Sequence, residues 1–552
     1  MKILPSYQKL RGGYYTPQKI ADFVASWAIQ NKTDSVLEPS CGDGAIVMAS
    51  AGRLLRLGSP VEDLATLITG IEFDKDEADK TTEVLVAYGA AREDINVHCG
   101  DFFSVCQNLL EGGIKYSAVL GNPPFIRFQH FPEDQREVAF YLMRSVGLNP
   151  NRLTNSWLPF LISSSLLLAE KGRLAMVIPA ELFQVDYAAE TRQFLSDFFS
   201  RITLVTFKKL LFEGVQQEVV LLLCEKDVTS TTGIRSIEFA SPDELIDYFD
   251  KPLPITELIP LDHSKEKWTK YFLTSKEVSL LREIRKHPGL VDIGSIADVD
   301  VGVVTGMNDF FVLRNSEVQS RGVQASVCRI VTKSAHLAGL SFRDADWIEL
   351  SEEDGRAFLF YPENRAISEL PLKVQEFIRT GESNEVHLGY KCSIRKNWYV
   401  VPSVSVPDAF MLRQVHSFPK IVLNGAQVTS TDTIHRVRFK DGTDAQSIAG
   451  SFINSLTFAF SEITGRSYGG GVLTFEPSEA ERLLIPLQNI SSVHYIEVEE
   501  LVRAGQIDAA LDLNDNFLLC NGLGLSKSEI EDLRGIWIKL RNRRNGRNKK
   551  VD

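Results

Sequence analysis

Residues 36–45 read VLEPSCGDGA, an apolar strand that runs into a glycine-containing turn and then into a helical stretch. Gly42 and Gly44 allow the backbone of this turn to approach a ligand closely, as a nucleotide-type ligand requires. The spacing lacks the full G-x-G-x-x-G fingerprint, and a plain structural turn would read the same way. The segments that follow must therefore decide between these interpretations.

Polar residues follow several strand-like runs downstream of this turn. Glu72, Asp101 and Asn122 each stand after such a run, as Glu38 does after the first. Because ligands of doubly wound sheets bind at the carboxyl edge of the strands, these four residues are candidates for one site. Singly, each could instead be a solvated side chain or a helix cap. Further apolar runs at 174–179, 202–207 and 218–223 extend the alternating βα series to about seven strands in one α/β domain.

The tetrapeptide Asn122-Pro123-Pro124-Phe125 suits the chemistry of a planar amino group. The exocyclic amine of a nucleobase has its lone pair delocalised into the ring, so a site that alkylates it needs acceptors for two N–H protons and a flat apolar wall. The side-chain oxygen of Asn122 and the carbonyl of Pro123 supply the acceptors, the prolines stiffen the loop, and Phe125 offers a face for stacking an extruded base. An ordinary strand-to-loop turn is the alternative interpretation.

The tetrapeptide resembles the catalytic motif of S-adenosylmethionine-dependent methyltransferases that act on adenine N6. The order of the segments is similar to that in the gamma group of DNA adenine methyltransferases of restriction-modification systems. The resemblance implies a seven-stranded, doubly wound class I methyltransferase sheet whose last two strands form an antiparallel edge hairpin. It also implies S-adenosylmethionine as the cofactor, with these candidate contacts: Tyr15, Thr16, Glu38, Pro39, Cys41, Gly42, Glu72, Asp101, Phe102 and Asn122.

Several of these contacts have an expected role. The Glu72 carboxylate can accept hydrogen bonds from both ribose hydroxyls. The resemblance implies that Asp101 accepts from the cofactor adenine amino group, with Phe102 beside the ring. It also implies that Tyr15 and Thr16 cover the methionine part of the cofactor, and we expect Thr16 to cap the helix that follows it.

The expected reaction is direct methyl transfer to a flipped adenine in a specific double-stranded DNA sequence. The resemblance places Phe212 opposite Phe125 as a second stacking wall, although a Phe ahead of a buried strand is often a core residue. No metal is needed. Alternatives are an amino-methyltransferase acting on RNA adenine or protein glutamine, and a non-catalytic DNA-specificity subunit, which would require a broken pocket. A fused nuclease is disfavoured, and a separate cognate restriction endonuclease is a candidate partner.

The length of 552 residues exceeds one core, and the βα alternation ends near residue 226. Polar loops follow, so we expect a catalytic domain at 1–245, a mixed α+β target-recognition domain at 246–490 and a helical C-terminal segment at 491–552. The basic tail at 539–550 is expected to be solvated and disordered.

The second half resembles the target-recognition part of restriction-modification methylases. Residues 296–312 read as a β-hairpin, and 466–473 set three glycines beside Arg and Tyr, where a backbone can lie close to a phosphate. Basic and apolar residues interleave on strand-like runs at 391–398 and 435–440. The candidate DNA contacts are Arg466, Tyr468, Gly469, Gly470, Lys391, Arg395 and Arg436. A flexible loop or a sheet edge guarded by basic residues would look the same.

Composition restricts the class of protein. With a net charge of −12, any DNA contact must come from a local positive cleft in an otherwise acidic molecule. The seven cysteines form no C-x-x-C pair and the nine histidines show no metal-ligand spacing, which is typical of a reduced, cytoplasmic protein without structural zinc. No secretory segment and no uninterrupted apolar span is evident, so neither export nor membrane insertion is expected.

Overall fold

The structure, a computed structural model, describes residues 15–208, 218–229, 231–467 and 471–546. The chain separates into two compact units: the described residues up to Val278, with Gly546, and then Ser279–Ser467 with Gly471–Asn545. The first unit extends past the expected boundary at residue 245 because the segment beyond it completes the first core. Ile259 forms a β-bridge with Ile234, and Trp268 and Tyr271 are buried in that core. Residues 491–545, expected as a separate segment, lie within the second unit.

The first unit is built on one mixed sheet, which has eight strands in the described residues. The strands are β1 Val36–Glu38, β2 Ile68–Glu72, β3 Asn96–Cys99, β4 Tyr116–Gly121, β5 Leu168–Pro179, β6 Arg201–Phe207, β7 Val219–Glu225 and β8 Gly233–Phe239. Their order across the sheet is β3-β2-β1-β4-β5-β7-β6-β8. β7 is antiparallel to both of its neighbours, and the other pairs are parallel.

This topology confirms the predicted doubly wound class I methyltransferase sheet and the antiparallel pairing of β6 with β7. The eighth strand, β8, was not predicted, and it occupies the edge beside β6 that the hairpin was expected to form. β8 follows a polar loop and contains the polar residues Arg235, Ser236 and Glu238, so it lacks the continuous apolar run of the central strands. Strand order reverses between β1 and β4, which is where sheets of this kind leave a crevice for a ligand.

Both faces of the sheet are covered, because alternate residues of the central strands enter two different cores. Leu174, Met176 and Ile178 of β5 join one core, whereas Ala175 and Val177 join the other. The helices that supply these layers are Gln18–Ala28, Ala45–Leu57, Lys75–Ala87, Phe102–Glu111, Glu133–Ser145, Trp157–Leu166 and Ala189–Phe198, with the short turns Leu64–Leu67 and Glu181–Gln184. Among these helices, Trp157–Leu166 is buried almost throughout.

The second unit contains several small sheets. Its strands are β9 Leu290–Asp292, β10 Ala297–Asp300, β11 Val312–Arg314, β12 Val327–Val331, β13 Ser341–Phe342, β14 Arg356–Phe360, β15 Ala409–Leu412, β16 Gln414–Val415, β17 Ile421–Asn424, β18 Thr429–Ser430, β19 Ile434–Phe439, β20 Arg466–Ser467, β21 Leu473–Thr474 and β22 Leu484–Pro486. The two larger sheets have the orders β10-β19-β15-β17-β13 and β11-β14-β12-β18.

Helices surround these sheets, which gives the mixed α+β architecture expected of this half. They are Ser275–Ile284, whose first four residues belong to the first unit, Ile293–Ile296, Asn308–Phe311, Asn315–Arg321, Asp344–Glu352, Leu372–Ser383, Tyr390–Ser393, Ala445–Ser451, Ser455–Thr464, Pro477–Ala480, Ser492–Arg503, Ile507–Asn514, the π-helix Asp515–Gly522 and Lys527–Asn545.

Two local predictions for this unit are wrong. The hairpin expected at 296–312 does not form, because β10 pairs with β19 and β11 pairs with β14. Between them Thr305 accepts the Met307 N–H at 3.2 Å and the chain forms the turn Asn308–Phe311, whose two phenylalanines enter an aromatic cluster. The run 391–398 is not a strand but includes the helix Tyr390–Ser393, whereas the strand expected at 435–440 is confirmed as β19.

The basic tail also differs from expectation, because its described part is ordered. The helix Lys527–Asn545 packs on Ser455–Thr464, with the Phe458 and Trp537 ring centroids 5.0 Å apart. Arg544 is buried, and its Nη2 lies 2.7 Å from Oε1 of the buried Glu462. A run of like charges that reads as a solvated tail therefore contains a residue of the core.

Candidate active site at the carboxyl edge of the first sheet

The glycine turn after β1 is bound to the end of β2. The Gly42 N–H donates to Glu72 Oε2 at 2.9 Å, and the Asp74 N–H donates to Glu72 Oε1 at 2.9 Å. Gly42 has φ +51° and a Cβ there would meet nothing within 4 Å, so this side of the turn is open. Glu72 is thus oriented by two backbone donors, and each oxygen keeps a further lone pair for a ligand hydroxyl.

Glu38 is the last residue of β1, shortly before the glycine turn, and it is 3 % exposed. Its Oε2 is buried without a hydrogen-bond partner in the described part of the chain. Burial, followed by repulsion from Glu72 and Asp43, holds the pKa of the Glu38 carboxyl well above its ordinary value. Burial next to Glu38 also raises the pKa of the Cys41 thiol. Burying a carboxylate oxygen that has no hydrogen-bond partner costs free energy, and a cationic ligand group bound to that oxygen would offset the cost.

The residues at this edge form a continuous series of contacts across the strand ends. Ser40 Oγ donates to the Asn122 carbonyl at 3.3 Å, which joins the β1 loop to the β4 loop. The Gly100 N–H donates to the Glu72 carbonyl at 2.8 Å, which joins the β2 end to the segment before Asp101. The structure therefore brings Glu38, Glu72, Asp101 and Asn122 to one edge, as the sequence pattern predicted.

Asn122 is oriented by a residue more than a hundred positions away. Its Nδ2 donates to Thr16 Oγ1 at 3.2 Å. The predicted capping role of Thr16 is wrong, because the helix Gln18–Ala28 has Pro17 at its N-cap and no side-chain cap bond. The Thr16 hydroxyl is used for Asn122 instead. Nearby, the Tyr15 hydroxyl donates to Glu77 Oε1 at 3.1 Å, so this segment lies against the helix after β2.

The tetrapeptide loop itself is partly buried. Pro123 is buried, whereas Asn122, Pro124 and Phe125 are half-buried. Phe125 packs against both cores of the first unit, which places its ring at the boundary between the two layers. Pro39 packs against Gly121, where a Cβ would lie 3.2 Å from the proline ring. Phe212, the expected second stacking residue, lies outside the described residues.

The two residues after β3 behave differently from one another. Asp101 caps the helix Phe102–Glu111, since its Oδ2 accepts from the Ser104 N–H at 2.9 Å. Phe102 is 3 % exposed and stacks on Phe160 with ring centroids 4.9 Å apart, so its ring lies in the core. Phe73, directly after Glu72, is 62 % exposed, and the sequence interpretation missed it. The signal was present, because an aromatic residue directly follows the strand-end carboxylate.

Most of the basic candidates in the second unit are held by their own unit. Arg395 donates to the carbonyls of Val304 and Thr305 at 3.0 and 2.8 Å. Arg436 is buried, and its guanidinium donates to the Val301 carbonyl at 3.1 Å. Arg466 Nε lies 2.9 Å from Oε1 of the buried Glu479.

Lys391 differs from these three arginines because its side chain is exposed. Tyr468, Gly469 and Gly470 lie outside the described residues. Of the four basic candidates that are described, Lys391 is the one whose side chain is exposed.

Two further properties concern the described residues as a whole. They contain no group of three or more His, Cys, Asp or Glu side chains arranged to hold a metal ion. None of their helices combines the length and the apolar character needed to cross a bilayer.

Comparison with known proteins identifies the family. The family model described as N-6 DNA Methylase matches residues 3–286, which is half of the chain. The chain belongs to the N-6 DNA methylase family. This confirms the predicted relation to adenine-N6 methyltransferases of restriction-modification type. Residues 265–519 match a second model, described as the C-terminal domain of the Type II methyltransferase M.Eco57I.

Relatives of similar length support this assignment. The chain is 22% identical over 492 residues to the Type II methyltransferase M.AccI of Acinetobacter calcoaceticus, covering 86% of this chain and 85% of the relative. It is 22% identical over 490 residues to M.XamI of Xanthomonas campestris pv. amaranthicola, covering 87% and 86%. Among solved structures, the Type IIL restriction-modification enzyme MmeI in complex with DNA covers 95% of this chain and 75% of its own, with 12% identity and a TM-score of 0.57. That likeness supports the fold.

Proposed function

We propose that this N-6 DNA methylase transfers a methyl group from S-adenosylmethionine to N6 of a flipped adenine in a specific double-stranded DNA sequence. The observation that carries the proposal is the position of Asn122. It follows β4 at the point where strand order reverses, it is oriented by Thr16, and its backbone is joined to the glycine turn through Ser40.

The residues around the glycine turn fit S-adenosylmethionine. The unmatched oxygen of Glu38 suits the α-ammonium of its methionine part, and Glu72 suits the ribose hydroxyls. Phe73 offers an exposed ring face for the adenine, a role we assign to it in place of the buried Phe102. Asp101 keeps its predicted role toward the adenine amino group. The cofactor supplies a methyl group already activated by its sulfonium.

The chain's own contribution to transfer is positioning. The Asn122 side-chain oxygen and the Pro123 carbonyl would accept hydrogen bonds from the two N6–H groups, which aims the nitrogen lone pair at the methyl group. The new N–C bond would replace the S–C bond of the sulfonium, and one N6 proton would then pass to water. Phe125 supports one face of the base, and we keep Phe212 as the proposed opposite wall. Removing the base from the stack requires a protein surface on the duplex, which we assign to the second unit because of its match to the M.Eco57I C-terminal domain. We expect cleavage by a separate endonuclease.

Asn122→Ala tests this assignment. We expect methyl transfer to fall by about a hundredfold to a thousandfold, as when a preorganised group is removed from a reaction centre. Affinity for S-adenosylmethionine should change by less than about threefold, since the cofactor is held chiefly by the turn and by the ends of β1 and β2. Tritiated cofactor with bulk DNA from a host that lacks adenine methylation gives the rate, and calorimetry gives the affinity.

Asn108→Ala is the matched control, because Asn108 is exposed on the helix Phe102–Glu111. The same labelled reaction is run on DNA, RNA and protein, and the labelled base is identified after hydrolysis. Label recovered from RNA or from glutamine, or a parallel loss of cofactor affinity in Asn122→Ala, would contradict the proposal.

A further inference from the structure

The tetrapeptide loop must be held by something other than secondary structure. Residues 122–127 follow β4 and belong to no helix or strand. Main-chain N–H and C=O groups in such a partly buried segment need partners, which a sheet ladder would otherwise supply. Three backbone groups of the loop are bonded to a single residue, Ser156, just before the helix Trp157–Leu166.

Ser156 makes three hydrogen bonds to this loop. Its hydroxyl donates to the Pro124 carbonyl and accepts from the Ile126 N–H at 2.9 Å. Its own N–H donates to the Ile126 carbonyl at 2.9 Å. Ser156 is fully buried, so water cannot replace these bonds without a rearrangement. One side chain thus bonds to the backbone on both sides of Phe125.

The use of this hydroxyl is unusual for its place in the helix. Serine at an N-cap generally accepts a hydrogen bond from the first turn of its own helix. Ser156 precedes Trp157–Leu166 but makes no side-chain cap bond. Its hydroxyl bonds to the loop instead, and the helix start is held by backbone bonds from the Leu158 N–H to the Asn155 carbonyl and from the Phe160 N–H to the Ser156 carbonyl, each at 3.2 Å.

Asn155 extends the same support one step further along the loop. Its Oδ1 accepts from the Phe128 N–H at 3.2 Å, and its Nδ2 donates to the Tyr187 hydroxyl at 3.1 Å. The Tyr187 hydroxyl in turn donates to Glu181 Oε2, on the turn that follows β5. Burial and the nearby Glu181 raise the pKa of Tyr187, which keeps its hydroxyl protonated as a donor. The loop after β4 is thereby joined to the loop after β5.

We propose that Ser156 is a positioning residue for methyl transfer. By fixing the backbone on either side of Phe125, it sets where the Pro123 carbonyl and the Phe125 ring meet the target base, and Asn155 supports the same loop at Phe128. This inference rests on the proposed function, since it concerns the geometry of that reaction. Ser156 touches neither substrate in this role and acts only through the loop.

Ser156→Ala is the direct test. Because misplacement of a reacting group by about 1 Å can cost about a hundredfold, we expect the single-turnover methylation rate to fall at least about tenfold, with unchanged affinity for S-adenosylmethionine. The assay uses tritiated cofactor and bulk DNA from a host without adenine methylation, with the full-length chain. Ser164→Ala is the matched control, because Ser164 is equally buried in the same helix region and its hydroxyl has no partner in the described residues.

Asn155→Ala is a milder second variant that removes a single bond to the loop and keeps Ser156. It should lower the rate by a smaller factor, with cofactor affinity and thermal midpoint near those of the wild type. If both variants transfer methyl at the wild-type rate, or if they lose cofactor affinity in parallel with rate, the positioning role is overturned. If the wild-type chain itself methylates no DNA adenine, the proposed function fails instead, and the two failures are distinguishable in one experiment.

Discussion

Glu38 is the residue at which burial and charge oppose each other most directly in this site. A carboxylate taken out of water costs free energy unless it is paired, and one oxygen of Glu38 has no partner in the described chain. Its pKa is raised above the ordinary value of 4.5, so at pH values between the two the native protein binds a proton that the unfolded chain has lost. The stability of the unliganded protein should therefore fall as pH rises through this window.

Glu38→Gln should remove this dependence. We expect the variant without ligand to match the wild type near pH 5 and to have a thermal midpoint a few degrees higher near pH 8, since about 1 kcal/mol corresponds to about 2–4 °C in a domain of this size. Its affinity for S-adenosylmethionine should be about tenfold lower, because a charge-assisted contact to the ammonium is lost. Thermal scans across pH and calorimetry measure both effects. If the thermal midpoints of the wild type and of Glu38→Gln change with pH in the same way, the assignment is contradicted.

At the scale of elements, the last helix is part of the second core rather than a tail. Arg544 and Glu462 are 2 % and 4 % exposed at their side chains and form two hydrogen bonds, at 2.7 and 3.1 Å. The Arg544 guanidinium also donates to the His416 carbonyl at 3.1 Å. The guanidinium donates to the Gly471 carbonyl as well, so this one residue links the end of the helix Lys527–Asn545 to three other segments of the unit.

Arg544→Met should destabilise the second unit by about 3–5 kcal/mol, because it leaves the Glu462 carboxylate buried without its partner. Urea unfolding followed by tryptophan fluorescence measures the loss. Combining it with Glu462→Leu should recover most of the loss, since both charges are then gone. Lys527→Met, an exposed position at the start of the same helix, serves as the control. If Arg544→Met alone were as stable as the wild type, the ion pair would contribute nothing to the free energy of unfolding.

At the scale of the whole molecule, the protein and the DNA proposed as its substrate both carry net negative charge. The net charge is −12, and three of the predicted basic contacts, Arg395, Arg436 and Arg466, are engaged within the second unit. Each cation that does neutralise a phosphate should count in the salt dependence of binding. Lys391, which is exposed, is the candidate that the structure leaves available for such a contact.

Lys391→Ala should lower the slope of log affinity against log salt by about one, without changing the thermal midpoint. Fluorescence anisotropy of labelled duplex DNA over a range of NaCl concentrations measures the slope. Lys373→Ala should leave the slope unchanged, because Lys373 is already paired with Glu376 at 2.9 Å. An unchanged slope in Lys391→Ala would remove this residue from the interface.

The amino-acid sequence by itself determined the first sheet, because buried parallel strands require apolar runs and ligand-binding turns require glycine, and both leave local signals. It also determined which polar residues stand at the strand ends. The edge strand β8 and the turn Asn308–Phe311 depended on distant partners and escaped local reasoning. Tertiary structure alone decided that Thr16 orients Asn122, that Ser156 braces the loop and that Arg436 and Arg544 are buried. A side chain's role is set by the atoms around it, and those come from positions that no local pattern connects.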